Sequence, residues 1–251
     1  MATYNGEAYI EKSVQSILGQ TFKNFEFIIV DDGSIDGTVD KIQQIGDSRI
    51  RIVRQSNQGQ ATALIAGIQT AKGGLIARLD QDDCSLPDRL LRQVKFMNAN
   101  PKVNMCGTRF KEKYGENLFT QRVYFAQTNA EIKKVISFYN PFAHSAVMFR
   151  RDAYFQVGGY DKNFTICMDY DLYVRLMEVG EVYNIEEVLT VILMSKKSFS
   201  MRRSRSKTFE GMQIRCRAYS KFRGNLLLTV FYIFKSIVGL LVPIRMKMLL
   251  F

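Results

Sequence analysis

This chain of 251 residues predicts an α/β fold, with a mostly parallel central sheet flanked by helices and a basic, apolar helical tail at the C-terminus. Three observations point there. Strand-like apolar runs alternate with helix-period segments between Glu7 and Leu79, two acidic loops leave the ends of such runs, and the positive charge is gathered in the last quarter. At 47% hydrophobic residues the chain can bury one sizeable core, and it is not a disordered tail.

Taken in order, Glu7 to Gln20 reads as a helix with Ala8, Ile10, Val14, Ile17 and Leu18 available for one face. "FEFIIV" (Phe25 to Val30) is a buried strand, Thr38 to Ile45 a helix, and "RIRIV" (Arg49 to Val53) a short strand. Gly59 to Ala71 is a third helix and Leu75 to Leu79 the next strand. Such alternation implies parallel strands joined by helices, whose ligands sit beyond the carboxyl ends of the strands. After Pro87 come a helix (Asp88 to Asn98), a strand (Val103 to Gly107) and a less periodic middle (Lys111 to Asn129). "HSAVMFRRDAYFQVGGYD" (His144 to Asp161) reads as a strand, a short helix and a Gly-Gly turn. Met168 to Gly180 is a helix with Leu172, Leu176 and Val179 on one face and Asp169 in its first turn. No internal repeat or low-complexity segment is present.

Four scattered cysteines without a CxxC pair, and a single histidine, His144, give no basis for a zinc site or a disulfide framework and point to a reducing compartment. "MATYNGEAYI" has neither a charged n-region nor an apolar h-region, so no signal peptide is expected. The net charge of +11 invites a nucleic-acid reading, yet residues 1–194 hold 22 Lys+Arg against 23 Asp+Glu, whereas 195–251 hold 13 against Glu210 alone. With few aromatic residues between Lys196 and Arg217, no nucleic-acid partner is expected; the local basicity suits an anionic membrane surface. The domains predicted are therefore 1–194 and a helical extension, 195–251.

Within that extension, Gly224 to Ile244 is 21 residues with one charge, flanked by Arg223, Arg245 and Lys247. The length nearly fits a bilayer, but Lys235 near its middle costs about 2.5–3.5 kcal/mol on insertion scales, and Pro243 lies close to the end. Asn225, Thr229, Tyr232, Ser236 and Gly239 draw a narrow polar stripe at helical spacing. The expectation is a helix lying in the membrane interface, with a helix packed on the core as the alternative.

The chemistry is concentrated in carboxylates. "ARLDQDDCSLPDRL" brings Asp80, Asp82 and Asp83 together at a strand end, where like charges repel by roughly 1 kcal/mol per pair even in water, so a bound cation is the simplest compensation. Residues i and i+2 can reach one hard ion such as Mg²⁺ or Mn²⁺, which completes its shell with water and phosphate oxygens; a solvated acidic loop is the alternative. Asp83 can instead cap the helix that follows. Asp31 and Asp32 sit at another strand end, where a carboxylate can accept from a base imide or a ribose hydroxyl, although Asp-Asp-Gly-Ser is also ordinary turn chemistry. Asp169 can act as a general base, or simply favour the positive end of its helix. His144 alone reads as a satisfied structural histidine.

In order and spacing, "ATYNGEAYIEKSVQSILGQTFKNFEFIIVDDGSIDGT", "ARLDQDDCSLPDRL", "HSAVMFRRDAYFQVGGYD" and "MDYDLYVRL" resemble the family 2 glycosyltransferases of GT-A fold, over roughly Ala2 to Leu193. The resemblance implies inverting transfer of a sugar from a nucleotide-diphosphate donor, UDP-linked first of all, to the hydroxyl of a glycan or lipid-linked acceptor, assisted by Mg²⁺ or Mn²⁺. It implies that Thr3, Tyr4 and Asp31, with Asp32 close by, contact the nucleotide, that Asp80 and Asp82 form the DxD element reaching ribose and metal, with Asp83 a competing metal ligand, and that Asp169 is the catalytic base. It further implies a cytoplasmic enzyme, peripheral on the inner face of a membrane. Three features depart from the pattern: the first strand is nearly absent because Met1 stands so close to "TYN", Met168 replaces a glutamate, and Ile65 replaces an asparagine. The different reading they leave is a truncated, inactive nucleotide-binding or membrane-recruiting module. A nucleotidyltransferase would need a glycine-rich basic loop after the first strand, and an aspartyl phosphatase its DxD there.

Overall fold

The computed structural model describes residues 1–115, 118–121, 126–194 and 205–241. Part of the 111–129 stretch, Pro243, Arg245 and Lys247 lie outside them. The elements run β1 (Ala2–Thr3), α1 (Ile10–Leu18), β2 (Phe27–Asp31), α2 (Thr38–Ile45), β3 (Ile50–Arg54), α3 (Gln60–Thr70), β4 (Leu75–Ala77), β5 (Cys84–Ser85), α4 (Arg89–Ala99), β6 (Val103–Tyr114) and β7 (Leu118–Gln121). There follow α5 (Asn129–Val135), a short 3₁₀ turn (His144–Ala146), β8 (Met148–Arg150), α6 (Arg151–Gln156), α7 (Met168–Val179), β9 (Glu181–Met194), α8 (Arg205–Phe222) and α9 (Leu226–Leu241).

β1, β2 and β3 form a parallel sheet, as their helix-joined order requires. β1 is two residues long but in register, with Thr3 opposite Asp31. The fold is α/β as expected, while the parallel part is smaller than the sequence implies: β4 leaves this sheet and pairs antiparallel with β8, within a mixed sheet of order β4-β8-β6-β9-β5 that carries β7 on β6. A strand joined by a helix need not rejoin the same sheet, and periodicity alone cannot tell. The strand expected to stop at Gly107 runs on to Tyr114, held by parallel pairing to the 14-residue β9, which the sequence reading missed. Val179, expected on the buried face with Leu172 and Leu176, is 39% exposed because α7 ends there.

Ile10, Val14 and Ile17 of α1 pack with Phe27 and Ile29 of β2, whereas Val30 faces Ala63, Leu64 and Ile68 of α3 on the other side. That two-sided burial is the alternation of a strand sandwiched between helices. The larger core gathers Leu172, Tyr173 and Leu176 of α7 with Phe149 and Val182, and Ile214 and Ala218 of α8 belong to it. α8 thus shares the core of the residues before it.

Candidate active site

β2 delivers Asp31 and Asp32 to the edge of the parallel sheet. Gly33 allows the turn that follows: its φ is +81°, and a Cβ there would lie 2.9 Å from the Asn57 amide. Asp32 points inward and accepts from the Gln55 side chain (2.7 Å) and from the Gln58 and Gly59 amides (2.9 and 2.8 Å), so both its oxygens hold the loop that opens α3. The Asp31 carboxyl is buried as well: one oxygen accepts from the Ser34 amide at 3.2 Å, and the other has no hydrogen-bond partner, with Arg54 at 3.7 Å. A buried carboxylate oxygen with only a distant cation and no hydrogen bond is costly, which leaves it able to accept from a donor.

The second acidic loop is laced to this edge by Gln81. Its Oε1 accepts from the Thr3 hydroxyl (2.5 Å) and the Tyr4 amide (3.0 Å), and its Nε2 donates to the Tyr4 carbonyl (3.3 Å). Gln60, at the start of α3, donates to Asp80 Oδ1 at 2.9 Å, and Ser13 of α1 donates to the Asp80 carbonyl. Although the two loops leave strands of different sheets, these side chains bring them to one rim. Thr3 and Tyr4 are thus tied to Gln81 next to Asp80, and Asp31 lies opposite Thr3, while Asp32 faces the loop behind them.

Asp80 is the hub. Arg78 Nη2 lies 2.5 Å from its Oδ1, Ser145 Oγ donates to Oδ2 at 3.0 Å, and the Asp80 amide donates back to Ser145 Oγ. Burial by itself would raise this carboxyl, but the Arg78 guanidinium and the Ser145 hydroxyl hold it well below the usual carboxylate range. Arg78 also donates through Nε to His144 Nε2 (3.1 Å), which in turn meets the Tyr160 hydroxyl at 2.8 Å. Desolvation and the Arg78 charge push His144 down to about 3, so the imidazole is neutral and Asp80 has one cationic partner.

Sequence reading missed both arginines that support this loop. Arg78 and Arg89 are 2% and 0% exposed, and Arg89 donates to the Arg78 carbonyl (2.6 Å), the Val147 carbonyl, Ser85 Oγ and Gln93 Oε1. Burial pulls Arg89 down to about 10, the cost of holding the backbone from inside. An arginine inside an otherwise apolar run ahead of the acidic loop was the available signal.

Asp82 and Asp83 lack such compensation. Burial, together with the Asp80 charge, pushes Asp82 up to about 6, and no other described residue donates a hydrogen bond to it. Asp83 turns inward, where one oxygen accepts from the Leu193 amide of β9 at 2.8 Å; burial and the charges of Asp80 and Asp82 push it up to about 8. Among the described residues no three acidic, histidine or cysteine side chains converge as a complete ligand set. What stands here is one half-buried carboxylate on the rim beside an already neutralised one, which fits a hard cation that takes one or two protein oxygens and fills the rest from phosphate and water.

Asp169, half-buried in the first turn of α7, accepts from Asn140 Nδ2 at 3.0 Å. Burial pushes it up to about 6; the Tyr170 amide and the Arg78 charge oppose that rise, and the Asp80 charge adds to it. Asp169 thus lies within electrostatic range of Asp80, Arg78, Tyr160 and Tyr173. Met168, next to it, is buried in the core. Beyond Tyr160 opens a cleft of about 710 Å³, bounded by Ile65 of α3, Gly158 and Gly159, Arg175 of α7 and Gln213 of α8.

Residues 1–158 match the family model described as Glycosyl transferase family 2. Among curated proteins, the chain is 32% identical over 215 residues to a putative glycosyltransferase, EpsE, of Bacillus subtilis, covering 80% of this chain and 74% of that one. It is 25% identical over 258 residues to the amylovoran biosynthesis glycosyltransferase AmsE of Erwinia amylovora, covering 100% and 96%. Among solved structures, S. aureus TarS in complex with UDP superposes with a TM-score of 0.72 at 14% identity, over 98% of this chain and 75% of that one. The Pyrobaculum calidifontis mannosyltransferase PcManGT in complex with GDP-Man and Mn²⁺ superposes at 0.63 and 19%, over 88% and 61%. With its GT-A fold and its rim of aspartates, this chain belongs to glycosyl transferase family 2.

Proposed function

We propose that the chain transfers a sugar from a nucleotide-diphosphate donor, UDP-linked first of all, to an acceptor hydroxyl with inversion at the anomeric carbon, in the building of a polysaccharide or cell-surface glycan. Relatives named for amylovoran and O-antigen biosynthesis, and fold neighbours carrying UDP, UDP-GlcNAc or GDP-Man, support the class of substrate. The observation that carries the reading is the rim on which Gln81, Gln60 and Ser145 gather the Asp80 loop beside Thr3, where Asp31 offers a buried oxygen with no hydrogen-bond partner.

In this reading the Asp31 oxygen without a hydrogen bond accepts from the base imide, Thr3 and Tyr4 border the base and ribose, and Asp80 is held by Arg78 toward the ribose. Asp82, and at most one oxygen of Asp83, would hold Mg²⁺ or Mn²⁺, whose charge offsets that growing on the departing diphosphate. Asp169 takes the proton of an acceptor hydroxyl arriving on the opposite side from the diphosphate, by way of the cleft beside Tyr160. Its raised affinity for protons suits a base near neutral pH, and Asn140 fixes which oxygen faces the acceptor. A single displacement of this kind inverts the centre.

The tail supports attachment to an anionic membrane surface. The polar stripe of α9 faces the protein: Thr229, 2% exposed, bonds Ser137 at 2.8 Å, Tyr232 stacks on Phe138, and Arg215 of α8 reaches Ser236. Leu226, Leu227, Val230, Phe231 and Phe234 are left outward, Leu227 at 82%. No described helix is long and apolar enough to cross a membrane, and a cation-rich hairpin with an outward apolar face matches a lipid surface with anionic headgroups. Donor turnover with Mn²⁺, measured for wild type, Asp82→Ala and Asp169→Asn, tests the enzyme. Full activity in both variants, or no metal-dependent binding of any nucleotide diphosphate, would leave the membrane-recruiting module instead.

A further inference from the structure

We propose that Glu210 of α8 is a positioning residue for the catalytic centre: it clamps the turn 165–167 and so fixes the entry of α7 and the direction of Asp169. The assignment rests on Asp169 being the base. α7 begins without help from its own sequence, since Cys167 at its N-cap provides no side-chain cap bond. The carboxylate arrives from elsewhere in the chain. Its Oε1 accepts from the Thr165 amide (3.1 Å) and the Thr165 hydroxyl (2.9 Å), and its Oε2 from the Ile166 (3.0 Å) and Cys167 (2.8 Å) amides. Three consecutive amides turned onto one anion form a concave backbone site, and the anion also lies near the positive end of α7.

Two further facts separate the clamp from ordinary helix docking. Glu210 is the only acidic residue after Ser195, in a segment with 13 Lys and Arg, yet it makes no ion pair among the described residues and gives both oxygens to this turn. It is 7% exposed, and although burial opposes ionisation, the Cys167, Ile166 and Thr165 amides keep it below the usual carboxylate range. α8 has other attachments to α7: Arg217 bonds Glu178 at 2.9 Å and approaches Asp171 at 3.9 Å, and Lys221 lies 3.7 Å from Glu178. Of these, Asp171 belongs to the first turn of α7 and Glu178 to its far end, and the Cys167 thiol also lies 3.7 Å from the Lys207 carbonyl, but Glu210 alone among these groups takes the backbone amides of 165–167. The clamp comes from beyond the residues matched by the family model, so the helical tail completes the site rather than only carrying it.

The test uses the full chain with Glu210→Gln, which puts an NH₂ donor or a neutral oxygen where the amides need an anion, and Glu178→Gln as the control that loosens only the far end of α7. Hydrogen exchange is read on the peptide holding residues 165–167, the Asp169 carboxyl is titrated by ¹³C NMR, and UDP-GlcNAc turnover is measured with Mn²⁺. For Glu210→Gln, exchange at the turn rises by roughly tenfold or more as its local protection is lost. The Asp169 midpoint falls from about 6 toward the ordinary value near 3.9 as water reaches it. kcat drops roughly 10- to 100-fold with KM for the donor within about twofold. Glu178→Gln behaves as wild type in all three. Wild-type exchange at the turn, or lost protection with an unmoved Asp169 midpoint and kcat, overturns the proposal. Should Glu210→Gln not fold, Glu210→Asp keeps the charge one methylene short; intermediate protection supports the clamp and full protection overturns it. Asp169→Asn separates the two ideas: if it turns over like wild type the base assignment falls, while exchange and titration in Glu210→Gln still decide the clamp.

Discussion

The aspartate rim and the α8–α9 hairpin break the same rule in opposite directions. At the rim, charge is inside: Arg78, Arg89 and Asp83 are nearly without solvent, and Asp82 and Asp169 are half-buried. In the hairpin, grease is outside, with Leu226, Leu227, Val230, Phe231 and Phe234 exposed while Thr229 is buried. Folding by itself favours neither, since buried charge and exposed apolar surface both cost free energy. On the proposed function each has something to meet, a nucleotide-diphosphate donor at the rim and a membrane surface at the hairpin. Glu210 ties the two regions together through the backbone.

The comparison is broken most forcefully at the rim. Asp169→Asn is expected to lower kcat by about 10²–10⁴ while donor binding survives, because only the proton acceptor is lost; steady-state kinetics beside donor titration checks this. In wild type the rate should rise about tenfold per pH unit up to about 6 and then flatten, since the base proposed at Asp169 works only when ionised and its folded midpoint is raised; the variant should lack that inflection. The charged groups facing it are Arg78 and Asp80, with Tyr160, Tyr173 and Cys167 neutral throughout this range.

At the hairpin, replacing Leu227, Phe231 and Phe234 together by Asp should reduce co-sedimentation with phosphatidylglycerol vesicles by about 100-fold or more, given roughly 1.5–3 kcal/mol for each large apolar side chain buried. Turnover of a soluble acceptor should be kept. Equal loss of both would mean that the apolar face serves the fold, and retained sedimentation would remove the lipid.

Smaller effects sharpen the picture. Gly33→Ala should cost about 1–3 kcal/mol in urea unfolding, because a side chain at φ +81° is strained and meets the Asn57 amide. Asp82→Asn should raise the metal-free thermal midpoint at pH 7.5 by about 2–4 °C, the shift that roughly 1 kcal/mol produces in a chain of this size. The sign follows from a folded midpoint raised to about 6: ionising Asp82 costs the folded state, so the gain is absent below about pH 4, grows as pH rises toward 6 and is complete above it. Mn²⁺ should reverse the order, stabilising wild type and not the variant.

Much of this was legible in the residues. Thr38 to Ile45 was read to its ends, because its apolar spacing is regular and Gly46, at φ +65°, stops it. Asp31, Asp80 and Asp169 were legible as carboxylates at strand and helix ends. What could not be read was which atoms of each would be spoken for. Asp31 and Asp32 are adjacent in sequence, yet one keeps an oxygen with no hydrogen bond and the other is consumed by the loop before α3. β9 stayed hidden because its residues do not alternate cleanly between a buried and an exposed face, and its partners on β6 are 77–80 positions away in the chain.

By itself, then, the amino-acid order determined the α/β class, the segregation of positive charge into the last quarter and the aspartates at strand and helix ends, since these depend on local periodicity and residue type. Tertiary structure alone decided that β4 would cross into a second sheet, that Arg78 would neutralise Asp80 and leave Asp82 uncompensated, that the polar stripe of α9 would turn inward, and that Glu210 would reach the turn ahead of Asp169. Each of those depends on which distant groups become neighbours, and pairing energy between groups far apart in the chain leaves no period in the sequence to be read.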